Sequence, residues 1–425
     1  MLKKELIEDF FSRKIEFKGI ERELHIPKIA RKIISIVGPR RAGKTWLFYY
    51  LLQISAQKSP MYVNFEDIAF RNLSPEEFFN VIKIFSEIKY PPRTFFLDEI
   101  QVIEGWETLV RSLYDRNFKI FITGSSSALL SKEIATQLRG RALTYILLPF
   151  SFREFLNAKN QKNKDFQAKT FESRGRILRY LREYLKYGGF PEVVLSENKE
   201  KILNQYSNEI FYKDFVERHQ IKSLGFGRFL FEFALQNFSK EISLKKIKRF
   251  FSKNISETTL YRYVEKLQDT MSIFFLEKYS RSVYQRRSWL KKMYICDTGL
   301  SLALGFSNDY GKKMENVVFL ELMRKTNEHP LLSFYFWKDK DNEVDFVVKE
   351  GRKIKQLIQV TYVNSKGEIR KREIKSLLKL SKLTRCKRLL ILTWDLEDKE
   401  RVQNKKIEFL PLWKWLMRSK LLDED

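Results

Sequence analysis

The stretch "KIISIVGPRRAGKTWLFYYLLQI", residues 32–54, decides the fold of the first part of the chain. Its β-branched beginning predicts a buried strand, its middle is a loop with two glycines, and its apolar end predicts a helix. The loop spells G-x-x-x-x-G-K-T, a pattern whose glycines let backbone N–H groups surround phosphate oxygens at a helix N-terminus. The predicted phosphate-binding residues are Gly38, Pro39, Arg40, Arg41, Ala42, Gly43, Lys44 and Thr45.

A second stretch, "RTFFLDEIQ" at residues 93–101, predicts a short apolar strand that ends in two carboxylates. In a phosphate-binding unit of this kind, Lys44 reaches the β- and γ-phosphates and Thr45 ligates Mg²⁺. Asp98 is then expected to hold the metal through water, and Glu99 to polarise the attacking water. The pair of motifs therefore predicts a site that binds and hydrolyses ATP with Mg²⁺.

Two further strands are predicted around this unit, "PMYVNFED" at 60–67 and "FKIFITGSSS" at 118–127. The second strand ends in Thr123, whose hydroxyl is a candidate for sensing the γ-phosphate. A plain strand-to-helix turn at this position is the alternative.

The composition is strongly basic. The 425 residues carry a formal net charge of +27 and a pI near 9.7. Such a charge favours a polyanionic partner, nucleic acid or an anionic membrane surface, and a merely solvated basic surface is the alternative. No apolar run approaches the length of about 18 residues that a membrane helix requires, so we expect a cytoplasmic protein without a membrane partner.

Cysteine and histidine are too sparse for several kinds of site. The two cysteines, Cys296 and Cys386, lie far apart, which excludes a disulfide framework and a cysteine zinc site and favours a reducing compartment. The three histidines are scattered, which argues against a metal site built from histidine.

The middle of the chain predicts helices followed by a small basic domain. Residues 151–220 show a mostly helical pattern that is interrupted at 188–191, and the polar run at 158–176 is predicted to be a loop. Beyond it the pattern is helix, turn, a helix capped at Ser256, and two strands around a basic loop. That order of elements is typical of a winged helix.

This segment is also the most basic part of the chain. Residues 240–292 hold 14 Lys or Arg against 5 Asp or Glu, a surplus that binds phosphates without selecting a sequence. Winged helices also serve as protein-contact modules, and that alternative stays open. The helix is expected to present Glu257, Thr258, Tyr261 and Arg262. The wing is expected to carry Arg281 together with the DNA-contact candidates Arg286, Arg287, Lys291 and Lys292.

From about residue 311 the pattern is a helix at 312–327, three strands near 333–338, 343–349 and 355–362, a helix at 366–381, and strands near 388–394 and 406–410. This is the element order of the restriction-endonuclease core. An active site there requires two carboxylates for Mg²⁺ and a lysine for the water. Asp345 is present, but Gln359 and Thr361 stand where a carboxylate and a lysine are needed. Possible further ligands are Glu315 and Glu321, and possible displaced lysines are Lys355 and Lys371.

The order of these motifs resembles a known family. The P-loop, "FFLDE", "FITGSSS" and "QLRGRALTYILLPFSFREF" are similar to the AAA+ branch of P-loop ATPases. With "YGGFPEVV" at 187–194 and "YKDFVERHQI" at 212–221, the chain resembles the archaeal-type ATPases more narrowly. The resemblance implies an ATPase core, a winged helix and a C-terminal restriction-endonuclease-like domain. It also implies an arginine before the fifth strand that enters a neighbouring subunit's site, a place that Arg139 and Arg141 occupy, with Arg141 favoured.

We therefore predict an α/β chain with four parts: a P-loop AAA+-like core at 1–155, a helical lid at 156–222, a winged helix at 223–305 and an inactive restriction-endonuclease-like domain at 306–425. The predicted function is Mg²⁺-dependent ATP hydrolysis by a homo-oligomer that binds DNA with little sequence preference. A slow ATP-driven signalling or assembly switch with a protein partner is the main alternative, and an ATP-dependent nuclease is a third.

Overall fold

The computed structural model describes residues 2–27, 32–55, 59–70, 72–125, 138, 140–160, 170–243, 247–248, 255–280, 290–305, 309–369 and 371–418. The chain divides into two compact units, Met1–Leu148 and Pro149–Asp425. Among the residues described, no helix is both long enough and apolar enough to cross a membrane.

The first unit is built on a parallel sheet with the strand order β2-β3-β4-β1-β5. Its central strands are buried along their whole length, as the continuous apolar runs predict. The predicted strands of this unit are confirmed. Their bounds are β1 Ile33–Val37, β2 Met61–Asn64, β3 Thr94–Asp98, β4 Lys119–Gly124 and β5 Ala142–Ile146.

Aromatic rings pack neighbouring strands together and pack a helix against the sheet. Phe96 of β3 stacks on Phe121 of β4 at a ring distance of 4.7 Å and packs edge-on against Phe48 at 5.2 Å. Burying each such ring contributes about 1.5–3 kcal/mol. The α-helices of this unit are Leu2–Ser12, Lys44–Gln53, Phe78–Ile88 and Trp106–Asp115, with 3₁₀ turns at Ile68–Phe70 and Ile100–Val102.

The second unit begins with helices, as the pattern of residues 151–220 predicts. Ser151 caps the first of them in a capping box with Glu154. The predicted loop at 158–176 is wrong in its last part, because Thr170 caps a helix that already includes residues 171–176. Residues 161–169 lie outside the described part. The helices are Phe152–Ala158, Phe171–Tyr187, Pro191–Leu195 and Lys199–Glu209, and the last continues as a π-helix, Ile210–Glu217.

The break at 188–191 is fixed by Asp297, which lies far along the chain. Its carboxylate accepts hydrogen bonds from the N–H groups of Gly189 at 2.6 Å and Gly299 at 2.8 Å. A Cβ atom at Gly188, where φ is 78°, would lie 1.6 Å from Asp297 Oδ1. Residues 188–191 ("GGFP") and 297–299 ("DTG") are therefore in direct contact. Asp297 lies so close to position 188 that only glycine fits there.

The next part combines helices with an antiparallel sheet of order β6-β8-β7. Ser256 accepts a 3.1 Å hydrogen bond from the N–H of Thr259, which confirms the predicted cap. The predicted wing loop at 281–289 lies outside the described residues. The helices are Leu224–Gln236, Glu257–Asp269 and Leu300–Ala303, and the strands are β6 Lys240–Ser243, β7 Ile273–Glu277 and β8 Leu290–Ile295.

The last part is a six-stranded mixed sheet of order β13-β14-β12-β11-β10-β9. Strands β9, β10 and β11 form an antiparallel meander, and β12 pairs in parallel with both β11 and β14. The predicted helices and strands are present, and β13 is an additional edge strand that the sequence pattern did not reveal. The bounds are Tyr310–Glu328, β9 Leu332–Asp339, β10 Asn342–Glu350, β11 Lys353–Val360, Lys366–Glu368 (3₁₀), Lys371–Thr384, β12 Leu389–Thr393, β13 Asp398–Val402, β14 Lys405–Pro411 and Leu412–Met417.

Candidate functional site

The glycine loop joins β1 to the helix Lys44–Gln53 in a conformation that requires its two glycines. Gly43 has φ 95°, in the left-handed region. A Cβ atom at Gly38 would lie 2.0 Å from the carbonyl oxygen of Leu147. Arg41 also adopts a positive φ, 66°, which is uncommon for a residue other than glycine. The loop is therefore shaped by backbone constraints, as a phosphate-binding loop requires.

Lys44 is buried at the centre of this loop. Its ammonium donates to the carbonyl oxygens of Gly38 at 3.1 Å and Pro39 at 3.3 Å, and it lies 3.4 Å from Glu99 Oε1. Arg22 supports the loop from outside by donating a 2.7 Å hydrogen bond to the carbonyl oxygen of Ala42. The predicted phosphate-contact cation is thus enclosed by the loop that carries it.

Asp98 lies at the end of β3 and accepts three side-chain hydrogen bonds. Thr45 Oγ1 donates to Oδ2 at 2.7 Å, Tyr62 donates to the same oxygen at 3.1 Å, and Thr123 donates to Oδ1. Burial raises the pKa of Asp98, and the neighbouring Glu99 raises it further, whereas the two threonine hydroxyls oppose the rise. A cation at this carboxylate would favour its ionised form.

Glu99 follows in a left-handed conformation with φ 52°. Its N–H donates to Thr123 Oγ1 at 3.0 Å, and its carboxylate accepts a 2.5 Å hydrogen bond from Gln101. Burial alone would raise the pKa of Glu99, but Lys44 and the hydrogen bond from Gln101 hold it below the ordinary value. Glu99 is therefore ionised at neutral pH, which is the state a general base needs.

The strand order explains why Thr123 joins this group. Strand β4 lies between β1, which leads into the glycine loop, and β3, which ends at Asp98. The sequence identified Thr123 but did not show that its hydroxyl connects Asp98 with Glu99. It also missed Tyr62 and Gln101, since a tyrosine inside an apolar strand and a glutamine after one carry no motif.

These residues suit a bound nucleotide and metal. Loop N–H groups at the start of a helix favour phosphate, and a hydroxyl beside a carboxylate is a typical oxygen ligand set for Mg²⁺. Thr45 and Asp98 would hold the ion, and Lys44 would face the phosphates.

Arg141 lies directly before β5, as predicted. Its guanidinium pairs with Asp115 at 3.2 Å and lies 5.1 Å from the ring centre of Tyr114. Arg139 lies outside the described residues. The role of Arg141 in a neighbouring subunit stays a prediction.

The predicted DNA contacts have different outcomes. Arg262 is exposed on the helix Glu257–Asp269, and Lys291 is partly exposed on β8. Arg286 and Arg287 lie outside the described residues. The prediction for Lys292 is wrong, because successive residues of a strand point to opposite faces and Lys292 points into the protein.

Lys292 instead lies among three carboxylates. Its ammonium is 2.6 Å from Glu343, 2.8 Å from Asp345 and 3.0 Å from Glu315. Burial alone would lower the pKa of Lys292, but Asp345 and Glu315 raise it well above the ordinary value. Burial raises the pKa of Glu315 to about 8, against the opposing effect of Lys292. The ammonium of Lys292 is therefore held in its charged form by the carboxylates around it.

The other candidates for a nuclease site lie elsewhere in this unit. Glu321 pairs with Arg153 at 2.8 Å and Arg324 at 3.1 Å, so it does not join Asp345. Lys355 pairs with Glu350 at 2.9 Å. Glu315, Asp345 and Gln359 share the lining of one cavity of about 380 Å³, and neither Thr361 nor Lys371 belongs to that lining. The structure therefore brings Asp345 and Glu315 together, and the sequence did not reveal the lysine between them.

Comparison with known proteins identifies the family to which this chain belongs. The AAA domain model matches residues 30–156, and two domains of unknown function, DUF8612 and DUF4143, match residues 178–310 and 310–415. The uncharacterized protein MJ1544 of Methanocaldococcus jannaschii is 38% identical over 414 residues, which cover 94% of this chain and 91% of that protein. The chain belongs to the MJ1544 family. This chain carries an AAA-type P-loop ATPase domain over residues 30–156.

Other similarities are more distant. An uncharacterized protein of Haemophilus influenzae is 31% identical over 341 residues, covering 76% of this chain and 80% of its own. Among solved structures, Cdc6p from Pyrobaculum aerophilum aligns with a TM-score of 0.27 at 10% identity, covering 76% of this chain and 93% of its own. AMPPCP-bound DnaA from Aquifex aeolicus aligns with a TM-score of 0.25 at 16% identity, covering 63% and 86%. Both TM-scores are low.

Proposed function

We propose that this member of the MJ1544 family is an Mg²⁺-dependent ATPase that binds DNA and acts on it as ATP is hydrolysed. The observation that carries the proposal is the convergence of Lys44, Thr45, Asp98, Glu99 and Thr123 at the ends of adjacent parallel strands. Each group has the chemistry that phosphoryl transfer to water requires: a cation and a metal site for phosphate, and an ionised carboxylate for the water.

The roles follow from the contacts. Backbone N–H groups of the loop and the ammonium of Lys44 bind and orient the phosphates. Thr45 and Asp98 would hold Mg²⁺, which neutralises phosphate charge when it is bound. Glu99 accepts a proton from the water, and Thr123 holds the Asp98 carboxylate and the Glu99 backbone through one hydrogen bond to each.

We extend the proposal to a homo-oligomer in which Arg141 completes a neighbouring subunit's site. The second unit is proposed to contain a winged helix that binds DNA phosphates through Arg262, Lys291, Arg286 and Arg287, and a restriction-endonuclease-like domain. We expect no DNA cleavage by that domain. Lys292 occupies its carboxylates, Gln359 replaces one acidic ligand, and Thr361 replaces the lysine.

The test is ATP turnover measured with single-stranded, duplex, forked and junction DNA, with native mass recorded in parallel. The proposal expects a several-fold or larger stimulation by at least one DNA structure. Equal turnover with and without every DNA would reject the DNA-directed part and favour an assembly switch with a protein partner. Absence of any turnover, despite nucleotide binding, would reject the ATPase itself.

A further inference from the structure

Lys292 supplies a positive charge to three carboxylates that come from two other elements. Glu315 belongs to the helix Tyr310–Glu328, and Glu343 and Asp345 belong to β10, whereas Lys292 comes from β8. The side chain of Lys292 is only 3% exposed. One carboxylate oxygen from each acidic residue lies within 3.0 Å of the same nitrogen.

Two of these carboxylates are fixed by groups other than the lysine. Val360 donates its N–H to Asp345 Oδ2 at 2.9 Å, and Tyr294 donates its hydroxyl to Glu315 Oε1 at 2.6 Å. These two hydrogen bonds hold Asp345 and Glu315 through groups that stay in place when the ammonium is removed.

Gln359 gives an independent indication of a cation ligand. Its side chain is 7% exposed and lines the same cavity as Glu315, Glu343 and Asp345. Within the described part of the chain, Gln359 Oε1 has no hydrogen-bond partner. A buried amide oxygen without a partner costs free energy, and a cation in the cavity would satisfy it.

We propose that Lys292 is a built-in substitute for a hard divalent cation, and that removing its ammonium opens a site for Mn²⁺ or Ca²⁺ at Glu315, Glu343, Asp345 and Gln359. Carboxylate and amide oxygens are the ligands such ions prefer, at about 2.3–2.6 Å for Ca²⁺. The oxygens now lie 2.6–3.0 Å from one point, so a contraction of a few tenths of an ångström suffices. In the described residues, no group of three or more His, Cys, Asp or Glu side chains could hold a metal ion, and the ammonium of Lys292 occupies the point that Glu315, Glu343 and Asp345 share.

The test uses the full chain without nucleotide in an Asp98→Asn background, which removes the carboxylate proposed to hold a metal ion at the P-loop. Lys292→Met and Lys292→Gln are stripped with a chelator and titrated with Mn²⁺, followed by electron paramagnetic resonance and thermal unfolding. The proposal expects one Mn²⁺ per chain and a rise of several degrees in Tm, because a ligand that binds only the folded state stabilises it. Adding Asp345→Asn to either variant should abolish both effects. The protein that retains Lys292 should show neither effect.

Several results would overturn the proposal. One is Mn²⁺ binding by the protein that retains Lys292, if Asp345→Asn abolishes that binding. The ammonium would then not exclude the metal. A second is a folded Lys292→Met or Lys292→Gln protein that binds no Mn²⁺. A third is failure of both variants to fold with or without Mn²⁺, because the carboxylates would then not accept a metal in place of the lysine. The proposal rests on the unit Pro149–Asp425 and is independent of ATP hydrolysis.

Discussion

Thr123 donates its hydroxyl hydrogen to Asp98 and accepts the N–H of Glu99 at 3.0 Å. One side chain on β4 thus contacts the carboxylate of Asp98, the proposed metal ligand, and the backbone of Glu99, the proposed base. The hydroxyl acts on the protein's own catalytic groups, whether or not it also contacts a phosphate.

Replacing Thr123 by valine should lower ATP turnover about 10- to 100-fold, because the loss of a buried hydrogen bond costs about 1–3 kcal/mol. Nucleotide affinity should change little, since Lys44 and the glycine loop are untouched. Steady-state turnover and equilibrium nucleotide binding test this, with Thr123→Ser as the matched control that keeps the hydroxyl. Equal losses in the serine and valine variants would contradict the assignment.

Arg141→Ala should lower turnover by about 10³-fold if the arginine acts on a neighbouring subunit's phosphates. Mixing this variant with Lys44→Ala should restore part of the activity, because each subunit supplies what the other lacks. Asp115→Asn is the matched control, since it removes the partner of Arg141 within the subunit. No recovery in oligomers shown to exchange subunits, or a loss in Asp115→Asn as large as in Arg141→Ala, would point to a local structural role.

Asp297→Asn should change how stability depends on pH. Burial raises the pKa of Asp297 from 3.8 to about 7. Between these two pH values the Asp297 carboxyl is protonated in the folded protein and ionised in the unfolded chain. The stability that this group contributes is therefore fully present below pH 3.8 and is lost as pH rises to about 7. The unfolding free energy of the original protein minus that of Asp297→Asn should fall between pH 4 and pH 7, while the exposed control Asp341→Asn should show no such trend. A difference that rises with pH would contradict the buried protonated carboxyl.

Replacing Arg286, Arg287 and Lys291 by alanine should weaken DNA binding for all sequences and reduce the slope of log K against log salt by as much as about 3, because fewer counterions are released. Lys292 is left intact because it is buried among carboxylates. The charge-matched control replaces the exposed Lys353, Lys382 and Lys387. An unchanged slope in the first variant, or equal changes in both, would favour a protein-contact role for this domain.

Local signals were sufficient for the elements and for most of the nucleotide site. The glycine spacing, the apolar strand before Asp98 and Glu99, and the Ser256 cap each act over a few residues, and each is present in the structure as predicted. The order of the strands and the hydroxyl bridge at Thr123 depend on tertiary arrangement and were not evident from the pattern.

Long-range pairing accounts for the error at Lys292 and for the contacts that the sequence did not reveal. Lys291 and Lys292 are indistinguishable as a basic pair in sequence, but a strand sends them to opposite faces, and only the fold places Lys292 beside Asp345. Asp297 similarly meets Gly189 across 108 residues. Such contacts depend on which segments become neighbours, so composition and periodicity do not reveal them.

ATP hydrolysis by the unmodified chain, Glu99→Gln and Lys44→Ala, measured together with nucleotide binding, tests the central claim most directly. We predict that Glu99→Gln binds ATP with Mg²⁺ but turns it over about 10²- to 10⁴-fold more slowly, because the base is lost while the phosphate contacts remain. Lys44→Ala should lose both binding and turnover. Normal turnover in the Glu99→Gln protein, or unchanged ATP affinity in the Lys44→Ala protein, would contradict the proposed ATPase site.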